Sequence, residues 1–216
     1  MLTFKQYLLE QNNSIKNTST AEEVAEIIKR DCAPFLKEIG DKLPLYRGSK
    51  KLLLWTTKMS VRKDRKPMDA SLELNNTLNT ALQELSGINY RTEAVFATGS
   101  RRSAYDYGNS YLFFPIGKFN YAWSPLITDA YTFFGQGSDS EAVESGELVY
   151  YPENRSKYLD DVFDYVMSGK AMYKFDTGLR DAATSKNEIM FACDEYYLVP
   201  DHPEAIPSDD ILKLLI

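Results

Sequence analysis

Hydrophobic positions along this chain change period several times, and each change predicts an element. Val24, Ile27 and Ile28 recur at helical spacing. Ser19 or Thr20 is placed to cap that helix, and Glu22 and Glu23 fall in its first turn, where acidic side chains meet the positive end of the dipole. The helix should end or kink at Pro34. Leu72, Leu74, Leu78, Leu82 and Leu85 predict a second helix over 70–85 that stops near Gly87, and 154–167 predicts a third. Strand-like runs cover 43–49, 52–61, 94–98, 111–116, 120–123 and 171–175, with a long final run over 188–199. Residues 101–107 read as a short helix closed by Gly108, 135–146 as a Gly/Ser/acidic loop, and 178–187 as a polar loop or helical turn. Helices early and strands late and scattered predict an α+β domain, not a chain of βαβ units.

Ahead of this domain, residues 1–11 form a short amphipathic segment with Leu2, Phe4, Tyr7 and Leu8 on one side, and 12–19 is a polar connector. The chain therefore divides into a leader or short helix with its connector over 1–19 and a single domain over 20–216, a length that one core can serve. No apolar run approaches the roughly 20 residues that a membrane helix needs. The one histidine, His202, excludes chemistry that needs several. Cys32 and Cys193 supply neither a disulfide framework nor metal-ligand spacing, so no metal is expected and a reducing cytoplasm is the simplest compartment. A net charge of −6 disfavours broad nucleic-acid binding, which works by neutralising phosphates, without excluding it. The run Arg62-Lys63-Asp64-Arg65-Lys66 departs from that balance. It reads either as a solvated loop before Pro67 or as a contact for a phosphate or an acidic partner.

Three segments place a polar residue beside an apolar, strand-like run. In Leu45-Tyr46-Arg47-Gly48-Ser49, an arginine at a strand end can aim its planar fork at phosphate or ribose oxygens, and the glycine permits close approach of a ligand. Phe96-Ala97-Thr98-Gly99-Ser100-Arg101-Arg102-Ser103-Ala104 reads as a strand feeding a helix through hydroxyl residues. In Ser185-Lys186-Asn187-Glu188-Ile189-Met190-Phe191, a glutamate heads an apolar strand, where a partly buried carboxylate can stabilise a developing cation.

Arginine, hydroxyl and glutamate in this order resemble the ADP-ribosyltransferase superfamily, whose members split NAD and pass its ADP-ribose to an acceptor. The resemblance covers about residues 43–200. It implies two small, roughly perpendicular β-sheets forming an NAD cleft with flanking helices, NAD as a substrate and no metal. Arg47, Thr98 and Glu188 would be the catalytic set. Arg47, Gly48, Ser49, Ser100, Ser103, Tyr105, Tyr107 and Phe113 would contact NAD, with an aromatic from Tyr105, Tyr107, Phe113 or Phe114 covering the nicotinamide ring. Thr98, Ser100 and Ser103 compete for the role of bracing the glutamate, because Thr98-Gly99-Ser100 stands where the family has Ser-Thr-Ser. Lys186 occupies the position two before Glu188, where arginine-modifying members carry a glutamate. Asp181, Ser185 and Lys186 would face the acceptor, a macromolecule of the protein class in the simplest case, and the enzyme would act as a monomer.

Met1-Leu2-Thr3-Phe4-Lys5-Gln6-Tyr7-Leu8-Leu9-Glu10 resembles the capsid-targeting leaders of large tailed phages, which end in a Leu-x-Glu or Ile-x-Glu cut site. That likeness implies a protein packaged in a virion, trimmed after Glu10 and delivered to the host cytoplasm. The alternative is a non-catalytic virion-internal or host-factor-binding protein on the same fold.

Overall fold

The computed structural model describes residues 20–40, 43–65, 67, 71–135, 140–200 and 208–215. The leader over 1–19 and His202 lie outside the described residues.

Helix α1 (Ala21–Asp31) begins as its sequence dictates. The Thr20 hydroxyl accepts from the Glu23 amide, and the Glu23 carboxylate accepts from the Thr20 amide. Val24, Ala25 and Ile28 form its buried face. As expected, the first helix breaks just ahead of Pro34, with Cys32 between the two helical segments. The proline lies in the first turn of α2 (Ala33–Ile39), where a missing amide costs nothing, and Gly40 at φ 68° closes that helix. Strands β1 (Tyr46–Ser49) and β2 (Thr57–Ser60) follow, then α3 (Leu72–Ser86), capped by Ser71 and stopped by left-handed Gly87. Next come α4 (Tyr90–Glu93), β3 (Val95–Thr98), α5 (Arg101–Tyr105), β4 (Asn109–Pro115) and β5 (Asn120–Trp123). Two short helices, α6 (Ala130–Phe134) and α7 (Glu141–Glu144), precede α8 (Arg155–Met167) and β6 (Lys174–Phe175). The chain closes with α9 (Leu179–Ser185), β7 (Glu188–Ala192), β8 (Glu195–Pro200) and α10 (Ser208–Leu214).

The expected α+β class is what forms. Instead of two separate sheets, the described strands hydrogen-bond into one open antiparallel ladder, ordered β2-β8-β4-β1-β3-β7-β5-β6. The ladder is pinched at its middle. Strands β1 and β3 share the single pair Tyr46↔Thr98, whereas β4 and β8 share five pairs and β3 and β7 four. The pinch leaves two four-stranded halves, β2-β8-β4-β1 and β3-β7-β5-β6. The final apolar run is not one strand: β7 and β8 belong to different halves, and the chain crosses between them at Cys193 and Asp194.

Aromatic side chains fill the space between the halves. Phe113 of β4 packs against Phe191 of β7, with ring centroids 5.1 Å apart, and against Tyr196 of β8 at 5.4 Å. Phe35 of α2 meets Phe114, Phe119 and Phe191 edge-on. A second apolar cluster joins Leu74 and Leu78 of α3 to Tyr158, Val162 and Val166 of α8 and to Phe133 and Phe134 of α6. A smaller third cluster, Leu82, Tyr90, Ala94, Ala122 and Met190, seats α3 and α4 on the β7 half.

Candidate functional site

The pinch determines where the three motifs meet. Thr98 pairs across the ladder with Tyr46 on one side and with Glu188 on the other. Arg47 is the next residue along β1, so arginine, hydroxyl and glutamate come from three adjacent strands. Beyond the Tyr46↔Thr98 pair the two strands part. Arg47, Gly48 and Ser49 pair with β4 alone, while Ala97, Phe96 and Val95 pair with β7 alone. The Phe96 carbonyl would be stranded by this splay, and the Arg47 guanidinium satisfies it, with Nη1 donating at 2.7 Å.

Gly48 is glycine for a packing reason. A Cβ there would lie 2.0 Å from the Ala104 carbonyl oxygen and 2.8 Å from the Tyr107 Cβ, so the close neighbour is α5, not a ligand. Ser49 accepts from the Lys51 amide in the turn after β1.

The three hydroxyls divide their work. Thr98 Oγ1 donates to the Lys186 carbonyl at 2.6 Å and accepts from the Ser100 amide at 3.1 Å. It braces the turn that leads into Glu188, where Lys186 takes the left-handed conformation at φ 65°. Ser100 caps α5 by accepting from the Ser103 amide, and the two hydroxyls bond each other at 2.9 Å. Thr98 therefore acts on the backbone before the glutamate, while Ser100 and Ser103 organise the helix start.

What holds the Glu188 carboxylate is Arg91, a residue of α4 that sequence reasoning missed. Arg91 Nη1 lies 2.7 Å from Glu188 Oε1, and the two side chains are 8% and 17% exposed. Arg91 Nε also reaches Asn75 Oδ1 at 3.4 Å. Burial raises the Glu188 carboxyl above the usual carboxylate range, and Asp129 adds to this, while Arg91 and Arg65 pull it back. For Arg91 burial works against the charge, but Glu188, Tyr173 and Asp129 outweigh it and raise the guanidinium above its ordinary value. Asp129 caps α6 through the Thr132 amide and accepts from the Tyr107 hydroxyl at 2.9 Å, which ties the turn after α5 to the region around Glu188.

Of the aromatics expected to cover a nicotinamide ring, Phe113 must be withdrawn, and Phe114 with it. Phe113 is fully buried between the halves and Phe114 is packed on Phe35, so neither reaches a ligand. Tyr105 and Tyr107 are half exposed, at 50% and 42%. Asp181, Ser185 and Lys186 lie exposed on α9 and the turn after it. The Ser185 hydroxyl is engaged with the Ala182 carbonyl and the Asn187 amide, leaving Asp181 and the Lys186 side chain as the outward groups of the three.

Arg65, at the end of the basic run, turns inward. Its guanidinium carbon lies 3.6 Å from the centroid of Phe96, on which Arg91 also rests at 4.9 Å. Arg65 is within electrostatic reach of Arg47, Arg91 and Glu188, so it connects the arginine and glutamate motifs. The sequence had flagged this run, but not which of its cations is internal. Among the described residues no group of three or more His, Cys, Asp or Glu is placed to hold a metal ion, and no helix is long and apolar enough to cross a membrane. No protein-family model matches the chain, and no curated protein or solved structure is significantly similar to it.

Proposed function

We propose that the protein is an NAD-dependent mono-ADP-ribosyltransferase acting on a macromolecular acceptor. The observation that carries the reading is the register Tyr46↔Thr98↔Glu188. It brings three motifs that are far apart in sequence to neighbouring strand ends, beside the point where β1 and β3 part. The pinch between two four-stranded halves is also the feature that fits a two-sheet NAD cleft.

In this mechanism the dinucleotide lies along the opening, with its phosphates toward Arg47 and its nicotinamide ribose toward Glu188. The bond between ribose C1′ and the nicotinamide nitrogen breaks, and nicotinamide leaves with the electron pair, which neutralises its ring. The ribose is left as an oxocarbenium-like cation. Glu188, mostly shielded from water, stabilises that charge and accepts a hydrogen bond from the 2′-hydroxyl. An acceptor nucleophile then bonds to C1′ and loses its proton. Thr98 keeps Glu188 in place through the Lys186 carbonyl. Tyr105 and Tyr107 are the aromatic surfaces left to cover the ring.

The test is release of nicotinamide from NAD. Glu188→Gln should lower turnover by about 10²-fold or more, the usual loss for one electrostatic stabiliser, with the fold checked by thermal melting. Turnover close to that of the parent protein defeats the assignment. A second reading is favoured by one observation: Arg91 already neutralises the Glu188 carboxylate. On that reading the domain is a non-catalytic binding protein, and NAD will neither be cleaved nor raise the melting temperature.

A further inference from the structure

We propose that Arg65, flanked by Arg47 and Arg91 around Phe96, forms a diphosphate-binding site in which Arg65 Nη1 is the unpartnered donor. The inference deepens the reading above by assigning the anion seat to a residue outside the three motifs, but it does not depend on any transfer chemistry.

The neighbours of Arg65 show why it is different. Arg62 pairs with Asp64 and Lys63 with Asp194, all four on the surface with side chains 56–96% exposed. Arg65 instead turns its guanidinium onto Phe96, and its own amide donates to the Thr92 carbonyl at 3.2 Å, which fastens the segment against the end of α4. Its Nη1 is sealed from solvent and has no hydrogen-bond partner. A buried cationic donor without a partner is costly, because it has lost water and gained nothing in exchange. The other two arginines are already committed: Arg91 through Nη1 to Glu188 and Nε to Asn75, and Arg47 through Nη1 to the Phe96 carbonyl. They serve as fixed positive charges, while Arg65 keeps a free prong of its fork.

Charge selects the ligand class. At Arg65 the nearby ions are two guanidiniums and one carboxylate, Glu188. Asp129 acts on Arg91 and Glu188 as well. The three cations thus exceed the two carboxylates of the cluster by one charge, which favours an anion over a neutral ligand. Guanidinium forks match phosphate oxygens geometrically as well. Burial, and then the repulsion of Arg47 and Arg91, push the Arg65 guanidinium down to about 10, so a bound anion would relieve a strain already present.

The experiment is calorimetric titration of the full chain with inorganic pyrophosphate, inorganic phosphate and ADP-ribose. Saturable binding of pyrophosphate and ADP-ribose, both tighter than phosphate, is expected. Arg65→Gln should weaken both at least about tenfold, as befits one charge-assisted hydrogen bond. Arg65→Lys should fall between, and Arg62→Gln should bind like the parent. Thermal melting of Arg65→Gln checks the fold, which should not suffer from loss of an unpaired buried cation. Absence of saturable pyrophosphate binding to the parent chain overturns the site, as does a folded Arg65→Gln variant with unchanged affinity. Glu188→Gln separates the two proposals, because it should lower nicotinamide release about 10²-fold or more while retaining pyrophosphate binding. Pyrophosphate binding without any NAD cleavage by the parent chain sinks the transferase alone. NAD cleavage without an effect of Arg65→Gln on pyrophosphate sinks the anion site alone.

Discussion

Replacing Arg91 by methionine tests whether the Glu188 pair is the buried, strained arrangement described above. The substitution keeps an unbranched apolar stem and removes the guanidinium with its charge. Three contacts go with it: the 2.7 Å bond to Glu188, the longer one to Asn75, and the cation resting on Phe96. The principal cost is the carboxylate left behind, 17% exposed and without its main counter-ion. Breaking a buried pair at one end typically costs about 3–5 kcal/mol, a large share of the 5–15 kcal/mol that holds a domain together. The pH dependence follows from the sign of the shift. Glu188 is already raised by burial, and without Arg91 it rises further. A carboxyl raised in the folded state contributes stability below its unfolded value, near 4.3, and loses it as pH climbs through the folded value. The deficit of Arg91→Met should therefore grow between pH 5 and pH 8, by at most about 1.4 kcal/mol per unit. Adding Glu188→Gln removes the orphaned charge and should recover most of the loss. Urea unfolding of the parent, both single variants and the double variant at the two pH values completes the cycle. A loss below about 1 kcal/mol that is equal at both pH values, as for an exposed pair, refutes the argument.

Other outcomes follow from the same geometry. Thr98→Val removes the bonds to the Lys186 carbonyl and the Ser100 amide and should cost about 0.5–1.5 kcal/mol in chemical denaturation, since one exposed and one part-buried hydrogen bond are lost. A neutral result would mean that the turn before Glu188 holds itself. Gly48→Ala forces a methyl group to within 2.0 Å of the Ala104 carbonyl, so α5 must shift. A drop in stability of about 1–3 kcal/mol, read from the melting temperature, is expected, and an unchanged melting point would show that α5 gives way freely. If the transferase reading holds, nicotinamide release requires ionised Glu188 and will rise with pH through a midpoint above the ordinary glutamate value. A rate already at its maximum at that ordinary value would remove the role of burial.

Much of this site was readable in the sequence for a local reason. Thr20 with Glu23 announces a capping box, and Arg47, Thr98 and Glu188 each stand at the end of a short apolar run, so strand ends and their polar residues could be assigned from neighbours alone. Adjacency could not be assigned this way, because β1, β3 and β7 pair over long separations and no local pattern encodes which strands meet. Arg91 escaped notice because α4 has only four residues, too few for helical periodicity to mark one side as internal. The same shortness hid α7 within the stretch 135–146 read as loop, and α6 in the unassigned residues just ahead of it. Arg65 sits in a segment without alternation, so nothing distinguished it from its solvated neighbours Arg62 and Lys63. The run 188–199 misled for the opposite reason. Its apolar pattern continues through Cys193, and hydrophobicity does not register that the strand changes partners there. Phe113 stayed among the ring-covering candidates because a strand buried on both sides shows no polar alternation to set it apart.

The pinched ladder also dictates an order of events during synthesis. Strands β1, β2, β4 and β8 belong to one half and β3, β5, β6 and β7 to the other, so the ribosome delivers the halves interleaved. Strands β3 and β5 have no common neighbour until β7 emerges, and β2 and β4 none until β8 does. No amino-terminal fragment that stops short of residue 188 can complete either half, and long loops must close before any of these pairings repays them. Arg91 accordingly waits through most of translation without its carboxylate, and becomes a paired internal cation only when β7 docks.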